Sequence, residues 1–212
     1  MNWEYDRNYR PVRITAWMVL FLVGFASIVE AQHPHFDRLQ ERFANGEMLT
    51  ANFVHTYQDS YTGEQNRSDG EIWIAQNAYR VEDPRQTMIV DGEISRIYDA
   101  VRNRLLINTY IEEEDDFAPS RMLQGVREVY DVSEVESRSG ISIRLTTDDP
   151  FELFYEVEII LTPEGVPLEI RALDQADNLL TTRFESGRFT SVDSAMFELD
   201  LPGDVERIDL RE

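Results

Sequence analysis

The sequence contains no cysteine and no lysine. The first absence removes thiolate nucleophiles, thiolate zinc sites and disulfides, and also the cysteine that carries a bacterial lipid anchor, so a soluble mature protein is expected. The second leaves arginine to supply all 20 basic side chains, against 41 acidic ones. The resulting formal charge of −21 argues against nucleic acid as a partner, because a strongly negative surface repels phosphate and releases no counterions. It equally disfavours a tight electrostatic hold on anionic headgroups. An acidic, lysine-free surface fits either a high-salt habitat, where repulsion is screened, or a compositional bias of the genome; neither reports on function.

Signatures of catalysis are also missing. There is no Gly-x-Ser-x-Gly elbow, phosphate loop or dinucleotide fingerprint. Histidine is scarce, with only His33, His35 and His55. His33 and His35 flank Pro34 close to the expected start of the mature chain, where chains fray, which is a poor setting for a metal site. His55 alternates with Phe53 and Tyr57 on one strand face and reads as a structural imidazole. Carboxylates are so abundant that no pair stands out. The run Glu112 to Asp116 and the pair Asp148-Asp149 lack the ligand spacing of a calcium loop and read as solvated loops. The expectation is a protein without catalysis, metal or cofactor.

Long hydrophobic runs are limited to the N-terminus. Arg7, Arg10 and Arg13 precede an apolar stretch from Trp17 to Ala26, and Val29-Glu30-Ala31 is a small-x-Ala pattern, the layout of a secretory signal peptide. The mostly apolar segment from Ile14 to Val29 falls short of the roughly 20 residues needed to span a bilayer. A cleaved signal over residues 1–31 and one mature domain over 32–212 are therefore expected. The three arginines of the leader are balanced by Glu4, Asp6 and Glu30, so the mature domain keeps the whole formal charge.

Within that domain a short helical pattern gives way to a long β pattern. Phe36, Leu39, Phe43 and Ala44 recur at helical spacing, and Asn45-Gly46 closes the helix. From Leu49 the period is two. Leu49–Tyr57, Gly70–Ile74, Thr87–Val90, Ile94–Tyr98, Leu105–Tyr110, Ile141–Leu145, Tyr155–Leu161, Leu168–Leu173 and Leu179–Glu185 read as strands. Thr62-Gly63, Asp91-Gly92, Ser139-Gly140, Glu164-Gly165 and Asp177-Asn178 supply the turns. Such short connections imply an antiparallel meander that curls to bury its apolar face. Ser120 and Asp193 stand as N-caps of two further short helical segments. No helix is long enough for a bundle, so the helices are expected to cover one face or mouth of the sheet.

The strands carry many aromatic residues, among them Phe53, Tyr57, Trp73, Tyr79, Tyr98, Tyr110, Phe154, Tyr155 and Phe184. Two readings stay open: they fill a core, or they line an apolar cavity that takes up hydrocarbon. The order of short motifs adds to this. Ser68-Asp-Gly70-Glu-Ile72-Trp73-Ile74, Tyr79-Arg80-Val81, Met88-Ile-Val-Asp91-Gly92 and Ile97-Tyr98-Asp99 follow one another as in the outer-membrane lipoprotein carrier (LolA) family, which this sequence resembles. The likeness extends upstream to Leu49-Thr-Ala-Asn-Phe53. Downstream it takes in Pro119 to Leu123, Thr181 to Gly187, Val192 to Phe197 and Leu201-Pro-Gly203, so it spans about Phe36 to Asp209.

What the resemblance implies is an incomplete antiparallel β-barrel of about eleven strands, with a helical lid over a hydrophobic cavity. The implied function is a periplasmic chaperone that holds the acyl chains of lipoproteins and transfers them from the inner to the outer membrane. Its partners would be acylated lipoproteins, an inner-membrane ABC transporter that releases them, and an outer-membrane acceptor of the same fold; the carrier itself is expected as a monomer. The alternative is a periplasmic lipid-binding or lipid-sensing module of the same architecture. Lipid-binding residues implied on this basis are Phe53, Trp73, Tyr79, Met88, Tyr98, Met122, Leu123 and Tyr155. The sequence departs from the family where an Arg-Pro usually follows the strand tryptophan and latches the lid, since Gln76-Asn77 stand there instead. Gln76 retains hydrogen-bonding capacity without charge assistance, and Arg80 is the neighbouring candidate for the latch.

Overall fold

The computed structural model describes residues 33–111, 122–123 and 129–211. The expected signal peptide, the acidic run from Glu112 and the Ser120 cap lie outside the described residues.

The first element is helix α1 (Pro34–Ala44), opened by Pro34, whose fixed φ suits the first helical turn. Phe36, Leu39 and Phe43, spaced to share one face, are essentially inaccessible to solvent. Asn45 and Gly46 end the helix as expected: the Asn45 amide donates to the Glu41 carbonyl, and Gly46 takes a φ of +80° that favours glycine. The other end is covered from far along the chain. The Glu134 carboxylate accepts from the amides of His35 (3.2 Å) and Phe36 (2.7 Å), an anion placed at a helix N-terminus.

Twelve strands follow. They are β1 (Glu47–Gln58), β2 (Gln65–Ile74), β3 (Tyr79–Glu82), β4 (Gln86–Val90), β5 (Ile94–Asp99), β6 (Arg104–Thr109), β7 (Asp131–Ser137), β8 (Gly140–Thr146), β9 (Phe154–Leu161), β10 (Pro167–Asp174), β11 (Leu179–Ser191) and β12 (Glu206–Asp209). They form one sheet in the order β12-β6-β5-β4-β3-β2-β1-β11-β10-β9-β8-β7. The hairpin meander β1–β6 and the hairpin meander β7–β11 are joined through β1 and β11, the two longest strands. Among the described residues β12 and β7 remain unpaired edges, so the sheet is an open, incomplete barrel, mainly β as expected. All pairings are antiparallel except that β12 runs parallel to β6. The strands β3, β7 and β12 are the ones the alternation pattern did not mark, β3 entering only through the motif Tyr79-Arg80-Val81.

Alternation along the strands sorts the side chains onto two faces. Leu49, Ala51 and Phe53 of β1, Ile72 and Ile74 of β2, and Ile141, Ile143 and Leu145 of β8 join α1 in the main core, together with Met122 and Leu123. Burying such side chains contributes roughly 1.5–3 kcal/mol each, before the entropic cost of ordering them. The outer face of β8–β11 is charged: Glu169 is held by Arg171 at 2.5 Å and Arg183 at 2.6 Å, and Arg171 also approaches Glu158 at 3.5 Å. On the outer face of β3–β6, Ile89 and Leu105 are buried where the C-terminal segment passes. That segment contains a 3-10 turn (Ser194–Phe197) begun by Asp193, whose Oδ1 accepts from the Ala195 amide at 3.0 Å, the capping role expected of it. Among the described residues no helix is long and apolar enough to cross a membrane.

Candidate functional site: an apolar cavity under Met122

The inner face of β1–β4, β10 and β11, together with Met122, encloses a cavity of about 160 Å³. Its wall is built from alternate residues of neighbouring strands. Phe53 lies on β1, Ile72 on β2, Tyr79 and Val81 on β3, Met88 on β4, Ile170 on β10 and Leu180 on β11. The register sets Val81 opposite both Ile72 and Met88, a continuous apolar row across three strands. Gly70 makes this packing feasible: it stands opposite Phe53, and a Cβ there would meet the Glu82 carbonyl oxygen at 2.0 Å and the Phe53 ring at 3.2 Å. Only the absence of a side chain lets β3 approach β2 while Phe53 occupies the floor.

Polar groups gather toward the opening. Ser68, His55 and Thr182 are consecutive partners across β2, β1 and β11, Asp83 comes from the β3–β4 turn and Gln86 opens β4. His55 Nδ1 lies 2.9 Å from Thr182 Oγ1. Burial pushes the imidazole pKa below its ordinary 6.5, which favours the neutral ring. Asp83 Oδ1 accepts from the amides of Arg85 (2.6 Å) and Gln86 (2.9 Å) and thereby shapes the turn. Its Oδ2, like His55 Nε2, has no hydrogen-bond partner among the described residues.

Four of the expected lipid-binding residues, Phe53, Tyr79, Met88 and Met122, meet at this cavity. Leu123 is fully buried in the core cluster and is not part of the lining. Three others of the expected set, Trp73, Tyr98 and Tyr155, lie away from this cavity. Trp73 lies between Ile72 and Ile74, so alternation turns it to the outer face, where the Arg80 guanidinium sits 5.4 Å from its ring centroid. Tyr98, the register partner of Thr87 and Leu105, also faces outward, and its hydroxyl donates to Asn103 at 3.1 Å. Tyr155 donates to Asp177 at 2.9 Å, away from the lining. Arg80, expected as a neighbouring latch candidate, is engaged on the outer face: its Nη1 donates to the carbonyls of Met196 (3.0 Å) and Glu198 (3.2 Å), and its Nη2 pairs with Glu82 at 2.6 Å. Arg80 thus ties the C-terminal segment to the outer face. Gln76 lies beside Asn77 and Tyr110 in a separate cleft, and most of the segment it was expected to latch is outside the described residues.

The residues that sequence reading did not assign to the cavity are Ile72, Val81, Ile170 and Leu180 on its wall and the polar set at its mouth. Their signal was parity: Ile72 shares a face with Ile74, Val81 with Tyr79, and His55 with Phe53. A larger cleft of about 710 Å³ lies on the outer face between β6 and the C-terminal segment. It is an open groove crossed by the Asp91–Arg96 ion pair, whereas the inner cavity is walled by apolar groups that converge from six strands, the form expected of a hydrocarbon site.

No family model matches the sequence, and no curated protein matches it. Among solved structures, an uncharacterized conserved protein from Thermus thermophilus aligns over 82% of this chain and 98% of its own, with a TM-score of 0.52 and 12% identity. A LolA superfamily protein from Nitrosomonas europaea aligns over 78% of this chain and 96% of its own, at a TM-score of 0.41 and 7% identity. A DUF1329 family protein from Desulfovibrio piger covers 77% and 95%, at 0.40 and 10%. At such identities the likeness is one of fold. The molecule is an open β-sheet with a small apolar cavity on its inner face.

Proposed function

We propose that this protein is a periplasmic carrier that binds the acyl chains of lipoproteins and transfers them from the inner to the outer membrane, without catalysis. The observation that carries this reading is the void beneath Met122, walled by Phe53, Ile72, Val81 and Met88. Hydrocarbon leaves water with a gain of roughly 0.8 kcal/mol for each buried methylene. Met122 is 7% exposed and lines the cavity, so its packing there competes with a ligand for the same apolar surface and binding is reversible. Export by a cleaved leader, release from an inner-membrane ABC transporter, delivery to an acceptor of the same fold and action as a monomer complete the proposal.

One observation favours a second reading, a lipid-binding or lipid-sensing module. An apolar cavity of about 150 Å³ admits a benzene-sized ligand; the 160 Å³ seen here takes the end of one chain unless Met122 moves. Mass spectrometry of the apolar material that accompanies protein purified from its native envelope tests both. Acylated protein is expected from a carrier, and free lipid alone from the sensing module. Material with no acyl chain at all would contradict both.

A further inference from the structure

We propose that the mouth of the cavity is a headgroup subsite that prefers amphiphiles with neutral or cationic, hydrogen-bond-donating heads over those with anionic heads. This rests on the reading of the cavity as an acyl-chain site. The geometry is amphipathic in the required sense. Ile72, Val81 and Met88 line the depth, while Ser68 and His55 on adjacent strands, Asp83 in the β3–β4 turn and Gln86 at the start of β4 stand where a chain would enter. Ser68 and Gln86 are exposed and His55 and Asp83 half-buried, so a head placed there meets a polar, solvent-facing rim while its tail lies against apolar groups.

The chemistry of these groups sets the preference. Among the described residues no arginine lines the cavity. Asp83 spends one oxygen on the turn amides and leaves Oδ2 without a partner among the described residues. An ammonium or hydroxyl head donates to that oxygen and to the Gln86 carbonyl, a charge-assisted bond for the first oxygen. A carboxylate or phosphate would instead meet a like charge at the mouth of a chain that carries −21 overall. Burial lowers the His55 pKa, so at pH 7.5 the imidazole brings no positive charge to the mouth.

The test uses the full mature chain and three ten-carbon probes, decylamine, decanol and decanoate, each displacing a bound apolar fluorophore at pH 7.5 in 0.5 M NaCl, where long-range repulsion is screened. The amine is expected to bind about tenfold more tightly than the carboxylate, with the alcohol between. Asp83→Asn keeps an oxygen for the turn amides and should shrink the amine-to-carboxylate ratio to within about twofold. Asp148→Asn, in an exposed loop remote from the lining, should leave the ratio as it is. Gln86→Glu should widen it. Equal binding of amine and carboxylate by the unmodified protein, or an unchanged ratio in Asp83→Asn, overturns the headgroup preference and leaves the acyl cavity standing. Failure of all three probes to bind removes both.

Discussion

Burial of His55 links its protonation to folding. In the unfolded chain the ring takes up a proton near pH 6.5, whereas in the folded chain it does so only at lower pH, because desolvation disfavours the imidazolium. Above 6.5 both states are neutral and this group adds no pH dependence. As pH falls below 6.5 the unfolded state binds the extra proton, and stability declines until the folded ring also titrates. Urea unfolding midpoints should therefore fall between pH 6.5 and 5 more steeply for the native protein than for His55→Gln; equal slopes would contradict the burial argument. Glu134 is a second residue with a measurable role. Glu134→Ala leaves the first amides of α1 without their carboxylate, and a loss of about 1 kcal/mol is expected in the same measurement.

At the level of elements, what could be read from sequence divides along short range and long range. The turns at Gly63, Gly92, Gly140 and Gly165 all take positive φ values, and Asp177 does too; local chemistry marks these positions whatever the rest of the chain does. Helix α1 was legible for the same reason, through the spacing of Phe36, Leu39 and Phe43. Strand β7 was not, because its inward side carries Val132, Glu134 and Glu136, opposite Leu145, Ile143 and Ile141. Two of those positions are charged since they serve the amides of α1 and His35, and the alternation is lost. Strand β12 has four residues and exists by pairing in parallel with β6, about a hundred positions away in the chain, which no local pattern encodes. The cavity was half legible: an aromatic inventory identified Phe53 and Tyr79, but it also drew in Trp73 and Tyr98, which alternation sends to the other face. Gly70 offers an element-scale test. Gly70→Ala forces a methyl against the Glu82 carbonyl, so β2 and β3 must separate, and a destabilisation of about 2 kcal/mol is expected from denaturant unfolding.

The whole molecule holds 41 acidic residues against 20 arginines. Compact folding concentrates that charge, and mutual repulsion opposes the native state more than the expanded one. Raising NaCl from about 0.05 to 1 M shortens the Debye length from well over 10 Å to about 3 Å, so the melting temperature should rise with salt; a fall would show that the specific ion pairs around Glu169 outweigh the general repulsion. The central claim is that the space under Met122 exists to hold hydrocarbon. Its most direct measurement is titration of a fluorescent acyl-chain probe into the native protein and into Val81→Trp, where the indole fills the space between Ile72 and Met88, with circular dichroism to establish that the β-sheet is retained. Saturable binding by the native protein and its loss, by at least about tenfold, in the folded variant is the predicted result; a folded Val81→Trp that binds the probe as tightly as the native protein would contradict it.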